Sequence, residues 1–372
     1  MDSITRKDVG KQIAFVLQGG GALGSYQAGV YEALERCGYL PDWVAGISIG
    51  GINSAIIAGN EPGMRVAKLR EFWELITEPS ASWPDYPLEG WKQLSRHAGA
   101  MSALLFGQPG FFRPNPLQAW MTGTPATSYY DTMDLKSTLE RLVDFDRINS
   151  GHTRLSVGAV NVRTGNFAYF DSAHMKLAPE HVMASGALPP GFPAVEIDGE
   201  IYWDGGLVSN TPLQYVLECS PRRSTLAFQV DLFPARGPAP LNLEQVEERR
   251  KDIQYSSRSR LGVDSFREMH NLRRAISQLL HRLPEEHLHG MDVDILRRAA
   301  CQTRMDVVEV IYRPTIPQGP TKDFEFSRAT MASRWKQGMQ DATASLAAEP
   351  WLEDAPEEIG ARTFDVLHGH QM

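Results

Sequence analysis

The sequence has few cysteines and no long hydrophobic run. Three cysteines, Cys37, Cys219 and Cys301, are spread over 372 residues. Such spacing suits neither a disulfide framework nor a metal site and is typical of a reducing compartment. The first twelve residues are polar, and no apolar stretch approaches the roughly 20 residues that a membrane-spanning helix requires. We therefore expect a cytoplasmic protein, with membrane contact at most peripheral.

The sequence also lacks a basic excess. Its formal net charge is -8, which argues against a nucleic-acid partner. It contains no carboxylate-rich loop with calcium-binding spacing, so neither a metal nor another cofactor is predicted. A length of 372 residues exceeds what one small core needs, and it favours one large domain with an accessory part.

Strand and helix patterns alternate from the start of the chain. Ile13 to Leu17 is a short apolar run typical of a buried strand, and a second strand is expected at residues 43–47. Helical patterns follow each of them, at residues 26–37 and 49–59. This alternation predicts an α/β fold with a mainly parallel central sheet. Further strands are predicted at residues 155–162, 167–170, 201–203 and 226–232.

A Pro- and Gly-rich joint at residues 234–240 divides the chain. We predict a catalytic domain at 10–235, a mostly helical C-terminal extension at 241–348 and a flexible tail at 349–372. In the extension, apolar residues from Val263 to Leu279 recur every three or four positions, which predicts a long amphipathic helix ended by Pro284. Residues 307–312 are predicted to form a strand, and the sequence leaves open whether it joins the main sheet. Residues 327–347 are predicted to form a last helix.

A G-x-S-x-G pattern follows the second predicted strand. It comprises Gly46, Ser48 and Gly50. A serine on a tight strand-to-helix turn projects from the backbone, and its flanking positions must be small. The following helix directs its N-terminal dipole at developing negative charge. The pattern predicts that Ser48 is a nucleophile, whereas a Gly-rich structural turn with a passive serine is the alternative.

Three consecutive glycines, Gly19, Gly20 and Gly21, follow the first strand. Acyl transfer passes through an oxyanion that needs backbone N–H donors, and glycine lets those donors approach closely. We predict an oxyanion hole formed by these glycines and the N–H of Ile49, the residue after the nucleophile.

The same loop also fits the G-x-G-x-x-G pattern of dinucleotide-binding proteins, through Gly19, Gly21 and Gly24. That alternative needs an acidic residue at the end of the second strand. Asp42 has a suitable separation in sequence but precedes that strand. A nicotinamide cofactor is therefore the less favoured interpretation.

Asp204 ends a short predicted strand and is followed by Gly205 and Gly206. A carboxylate in this position can reach into a site while the backbone turns away. Taken alone, the pattern is better explained as a simple turn. Its combination with the Ser48 turn and the glycine loop favours a catalytic role.

These three motifs together resemble the patatin-like phospholipases. The resemblance spans residues 10–235 and rests on Gln18 to Gly24, the Ser48 turn and Asp204 to Gly206, with support from residues 184–193 and 210–212. It implies a three-layer fold with a central sheet between helices, a Ser48–Asp204 dyad and hydrolysis of acyl esters in lipids. The extension resembles that of a bacterial subgroup of the family.

A dyad requires that Asp204 take the proton of Ser48 directly, which needs a carboxylate pKa raised by burial. His152, His174 and His181 remain alternatives as a third catalytic residue. The family's glycine loop often carries Arg or Lys where this chain has Leu23, which leaves head-group preference open.

Two further stretches have alternative interpretations. Residues 98–112 carry an apolar set that suits a lid or acyl groove, or else core packing of an insertion; it comprises Met101, Leu104, Leu105, Phe106, Phe111 and Phe112. Basic residues of the extension suit either an anionic membrane or surface ion pairs, namely those at 249–251, 273–274 and 297–298. A non-catalytic lipid- or protein-binding protein that keeps the fold is the competing function.

Overall fold

The computed structural model describes residues 4–77, 99–115, 126–368 and 370–371. Its strands are β1 (Gln12–Leu17), β2 (Trp43–Gly46), β3 (Arg113–Pro114), β4 (Tyr130–Asp131), β5 (Arg154–Asn161), β6 (Phe167–Asp171), β7 (Val195–Ile197), β8 (Glu200–Asp204), β9 (Thr225–Asp231), β10 (Met305–Ile311), β11 (Ala361–Asp365) and β12 (His370–Gln371). Its α-helices are α1 (Ser25–Arg36), α2 (Ile49–Ala58), α3 (Arg65–Ile76), α4 (Met133–Leu142), α5 (Phe145–Asn149), α6 (Pro179–Ser185), α7 (Leu213–Glu218), α8 (Leu243–Arg282), α9 (Met291–Ala299) and α10 (Arg328–Leu346). Residues 99–106 are also helical.

The central sheet has the strand order β12-β11-β10-β9-β1-β2-β5-β8-β7, with β6 also paired to β5. Strands β11, β10, β9, β1, β2 and β5 are parallel, and antiparallel strands complete both edges. This confirms the predicted mainly parallel sheet, because the central strands are joined by helical crossovers.

Helices cover both faces of the sheet. Alternate residues of β1 point to opposite sides, as the pleat requires. Phe15 and its neighbours Ile13 and Leu17 pack with α1, α2 and α3, whereas Ala14 and Val16 pack with α7. The predicted three-layer architecture is thereby confirmed.

One strand and one helix of the extension pack against the first region of the chain. Strand β10 pairs in parallel with β9, so the strand predicted at residues 307–312 joins the main sheet. Helix α10 crosses α1 at very short range, since a Cβ added to Gly338 would lie 2.1 Å from the carbonyl oxygen of Tyr26. The division at residues 235–241 stays a prediction, but extension and catalytic region share one sheet.

The stretch predicted as a flexible tail contains β11, which pairs in parallel with β10. Its first residues are anchored by α8, where the Asn271 side chain accepts the N–H groups of Gly360 and Ala361 at 2.8 and 3.0 Å. The local sequence has no strong strand pattern. Tertiary pairing supplies the order instead.

The long helix of the extension is confirmed as α8, which ends before Pro284. Its predicted apolar stripe is only partly buried. Phe266 faces the core, but Met269, Leu272 and Leu279 are exposed. His270 is buried in their place, because its Nε2 lies 2.9 Å from the carbonyl oxygen of Thr303.

Several basic residues of the extension contact protein groups. Arg249 donates to the Pro234 carbonyl at 3.0 Å and Arg250 pairs with Glu247 at 2.7 Å. Arg250 is therefore engaged in an ion pair and Arg249 in a hydrogen bond to the backbone, which argues against a free basic face at those two positions. Among the described helices, none combines the length and apolar character that crossing a bilayer demands.

Candidate active site

Ser48 occupies the sharp turn between β2 and α2. Its φ of 53° and ψ of -126° lie outside the conformations that side chains ordinarily favour, so the surrounding structure must hold the turn. The Ser48 N–H donates to both the carbonyl and the Oγ of Ser185, each at 3.1 Å. Added Cβ atoms at Gly46 and Gly50 would lie 2.2 and 2.3 Å from backbone oxygens. The flanking glycines are therefore required by close backbone approach, as the motif predicts.

The glycine loop lies between β1 and α1, and its N–H groups have different partners. Gly19 donates to the Asn210 carbonyl at 3.1 Å, and the Asn210 side chain donates back to the Gly19 carbonyl at 3.0 Å. In the part of the chain that the structure describes, the N–H groups of Gly20, Gly21 and Ile49 have no acceptor. Three donors at this loop and at the start of α2 are thus unused by the fold.

Asp204 ends β8, which runs antiparallel to β5 and stops opposite Ala159. Its side chain is only 2% exposed. Burial raises the pKa of Asp204 to about 6, although interactions with Ser48 and with the Gly206 N–H stabilise the carboxylate. The Gly206 N–H donates to Asp204 Oδ1 at 2.7 Å. The carboxyl group thus interacts with Ser48 and is more basic than an ordinary aspartate.

The predicted nucleophile, its aspartate partner and the predicted oxyanion-hole residues border one cavity of about 690 Å³, its open mouth included. The polar part of its lining includes Gly19, Gly20, Gly21, Ser48, Ile49, Asp204, Gly206 and Asn210. Gly46, Gly50 and Gly205 are absent from this lining, and their small size serves backbone packing behind it.

The rest of the lining is mainly aromatic. It comprises Phe111, Phe112, Phe192, Phe233, Tyr255, Phe324 and Phe326, together with Ile52, Leu188, Gly186 and Asp323. Of the predicted lid or groove stretch, Phe111 and Phe112 border the cavity, whereas Met101, Leu104, Leu105 and Phe106 are exposed. Ala98 lies outside the described residues. The polar end and aromatic walls make a site suited to an apolar molecule with one reacting polar group.

No histidine lines this cavity among the described residues. His181 packs against Phe170 and its Nδ1 accepts the Ala178 N–H, and His152 and His174 are exposed. Asp42 accepts the Ile13 N–H at the start of β1, the end of the sheet opposite the glycine loop. The dinucleotide alternative therefore lacks its carboxylate at the loop.

Leu23 is fully buried on the short helix after the glycine loop. Its side chain belongs to the core cluster with α1 and α2 rather than to the cavity lining. In this chain the position therefore presents no group to a bound molecule.

Sequence reasoning did not single out Ser185 or Asn210 as parts of the site. Both lie in stretches that resemble the family, and that was the available signal. Four lining residues of the extension lie in no recognisable sequence motif: Tyr255, Asp323, Phe324 and Phe326. An isolated aromatic or acidic residue there looks the same in sequence as an ordinary core or surface residue.

Comparison with known proteins gives two family matches. A model described as patatin-like phospholipase matches residues 15–217, and one described as DUF3734, patatin phospholipase, matches residues 253–358.

Among individual relatives, the lysophospholipase NTE1 of Yarrowia lipolytica is 24% identical over 233 residues, covering 63% of this chain and 14% of that protein. A cGAMP-activated phospholipase of Pseudomonas aeruginosa is 27% identical over 210 residues, 53% of each. VipD of Legionella pneumophila aligns in structure with a TM-score of 0.39 and 15% identity, covering 91% of this chain and 68% of that chain.

The chain spans 14% and 53% of the length of these two curated relatives. The first family model, however, covers more than half of the 372 residues and includes the glycine loop, the Ser48 turn and Asp204. The chain therefore belongs to the patatin-like phospholipase family.

Proposed function

We propose that this protein is a serine lipid acyl hydrolase of the phospholipase A, lysophospholipase or carboxylesterase type. Ser48 is the nucleophile and Asp204 its only catalytic partner. The observation that carries the proposal is that Ser48 and the buried Asp204, whose pKa is raised to about 6, lie together at the polar end of an otherwise aromatic cavity.

In the first half-reaction, Asp204 takes the proton of the Ser48 hydroxyl as its Oγ attacks the acyl carbonyl carbon. The tetrahedral intermediate then collapses, the ester bond breaks, and Asp204 returns the proton to the leaving alkoxide. Water attacks the acyl-enzyme in the second half-reaction. Asp204 accepts the proton of that water and returns it to Ser48 as the fatty acid leaves.

The proposed oxyanion hole consists of the N–H groups of Gly20, Gly21 and Ile49. These donors have no acceptor among the described residues, and all three residues border the cavity. Gly19 is left out because its N–H is engaged by Asn210. Donors that are already oriented stabilise the developing charge without reorganisation. No cofactor takes part in this scheme, and we propose peripheral contact with lipid as the way substrate is reached.

The first test is hydrolysis of p-nitrophenyl butyrate by the wild type and by Ser48→Ala. We expect the variant to lose about 10⁶-fold in kcat, as in other serine hydrolases that lose the nucleophile. Ser54→Ala is the matched control, because Ser54 is buried on the same helix and its Oγ has no hydrogen-bond partner among the described residues. Equal turnover by wild type and Ser48→Ala would refute the nucleophile.

A second measurement separates the substrate classes. Wild type is incubated with a diacyl phospholipid, a lysophospholipid and a neutral monoacyl ester, and released fatty acid is quantified by mass spectrometry. Release from any of them that is absent with Ser48→Ala supports the hydrolase. Binding of these lipids without release would favour the non-catalytic alternative.

A further inference from the structure

One wall of the cavity comes from the C-terminal extension rather than from the region that carries the motifs. Tyr255 lies on α8, and Asp323, Phe324 and Phe326 lie in the segment before α10. These residues follow the predicted boundary at 235–241. The cavity beside Ser48 is therefore incomplete without the extension.

The extension also contacts the glycine loop through its backbone. The Ala22 N–H donates to the Asp323 carbonyl at 2.8 Å. A Cβ added to Gly21 would lie 2.3 Å from the same oxygen. Backbone of the extension thus packs directly against a loop that borders Ser48, so the two surfaces have a defined relative position.

Ion pairs hold this segment in place. Lys322 is 1% exposed, and its Nζ bonds Asp252 at 2.6 Å and Glu248 at 3.3 Å, both on α8. The neighbouring Asp323 pairs with Lys251 at 2.7 Å. A buried lysine with two carboxylate partners is costly to displace, so the rings that follow it are held in fixed positions.

Phe326 is one of the rings through which the extension meets the aromatic lining that the first region contributes. It is 5% exposed. Its ring centroid lies 6.0 Å from that of Phe111 and 6.2 Å from that of Phe112. Phe112 in turn lies 5.2 Å from Phe192. These contacts close the lining with rigid apolar surface, which accepts an aliphatic chain and offers it no polar partner.

We propose that Phe326 determines acyl-chain specificity: its ring limits the length of the chain that the cavity accepts from an aliphatic ester. The inference rests on the proposed function, because it assigns the aromatic part of the cavity to the acyl group attacked by Ser48. The extension is thereby part of the substrate-binding site.

The test is the ratio of kcat/KM for p-nitrophenyl palmitate to that for p-nitrophenyl butyrate. Phe326→Ala removes the ring and enlarges the cavity, so we expect this ratio to rise about tenfold, the lower end of what an apolar pocket discriminates. Phe326→Trp should lower it. An unchanged ratio in folded Phe326→Ala, with near-UV circular dichroism like the wild type, would overturn the proposal.

Phe266→Ala is the matched control. Phe266 is also 5% exposed and lies on α8 in the same extension, but it packs against His270 and does not border the cavity. Both variants lose a buried ring, so a general loss of stability affects them alike. The ratio should change only in Phe326→Ala, and an equal change in both would contradict a specific role for Phe326.

A binding measurement separates this inference from the hydrolase proposal. Butyrate, octanoate and palmitate are titrated by calorimetry into Ser48→Ala and into Ser48→Ala with Phe326→Ala. A binding preference that shifts toward palmitate in the double variant supports the role of Phe326 in limiting chain length, even if the wild type hydrolyses no ester. If both proteins bind butyrate, octanoate and palmitate with identical affinities, Phe326 does not limit chain length. The test of Ser48 as nucleophile would be unaffected by that result.

Discussion

The two sides of the cavity are built in different ways. The polar side is made by short motifs at the ends of strands of one sheet: Ser48 and Gly20 follow strands, and Asp204 ends one. The aromatic side is assembled from distant stretches, with Phe112 and Phe326 more than 200 residues apart. Chemistry that depends on backbone geometry leaves a local pattern. A wall that depends only on apolar shape leaves none.

The sharpest way to break the polar side is Asp204→Asn. The amide keeps the shape but cannot take the proton of Ser48, so we expect kcat to fall by about 10⁴-fold, or about 5 kcal/mol, as for other triad carboxylates. The measurement is steady-state hydrolysis of p-nitrophenyl butyrate. Asp198→Asn, an exposed carboxyl at the β7–β8 turn, is the control and should keep wild-type kcat. A loss below tenfold in Asp204→Asn would argue against the dyad.

The support of the aromatic side is tested by Lys322→Met. Removing the lysine leaves Glu248 and Asp252 together and uncompensated, so we expect the free energy of unfolding to fall by about 3–5 kcal/mol. Urea denaturation followed by circular dichroism measures it. Arg250→Met breaks an exposed ion pair on α8, the helix that carries Glu248 and Asp252. It should lower the free energy of unfolding by less than about 1 kcal/mol. Similar losses in the two variants would contradict the central role of Lys322.

Gly21→Ala acts where the two sides meet. The position has a φ of +54°, and its Cβ would lie 2.3 Å from the Asp323 carbonyl, so the loop must move. Losing one oxyanion donor lowers kcat by an amount that corresponds to about 2.7–4 kcal/mol of activation free energy. Gly10→Ala is the control, since Gly10 has a φ of +62° but nothing within 4 Å of the added Cβ. Equal kcat in Gly21→Ala and Gly10→Ala would remove Gly21 from the proposed hole.

The pH profile gives the smallest effect. The pKa of Asp204 is raised to about 6 and the reaction needs its deprotonated form, so kcat/KM should fall as pH drops through 6. One unit below the pKa the loss is about tenfold, and the rate is level above it. Burial also raises the pKa of Asp231 to about 6, so the profile is repeated with Asp231→Asn. An inflection that disappears in this variant would assign it to Asp231 instead.

Much of the polar side was predictable. The Ser48 turn and the glycine loop border one cavity, because parallel strands place the loops that follow them at one edge of the sheet. Asp204 reaches the same cavity by another route, since β8 runs antiparallel to β5 and ends opposite Ala159, near the end of β5. The engagement of the Gly19 N–H by Asn210 was not predictable, since it depends on a partner 191 residues away.

The helix of the extension shows a different limit. Apolar spacing correctly indicated α8, but it did not indicate which face is buried. His270 faces the core, where the Thr303 carbonyl oxygen is a partner for its Nε2, whereas Leu272 is exposed. Burial of a polar side chain depends on the partner available to it, and the partner belongs to another element.

The sequence by itself determined the fold class, the family and the candidate residues for the chemistry, because strand-to-loop motifs are local and their backbone requirements restrict the residue types allowed. Only the tertiary structure decided which N–H groups stay unused, how far burial raises the pKa of Asp204, and that Phe326 of the extension borders the cavity. Each of these is set by contacts between segments far apart in the chain. Such contacts require shape and partners rather than a particular local pattern, so no stretch of sequence records them.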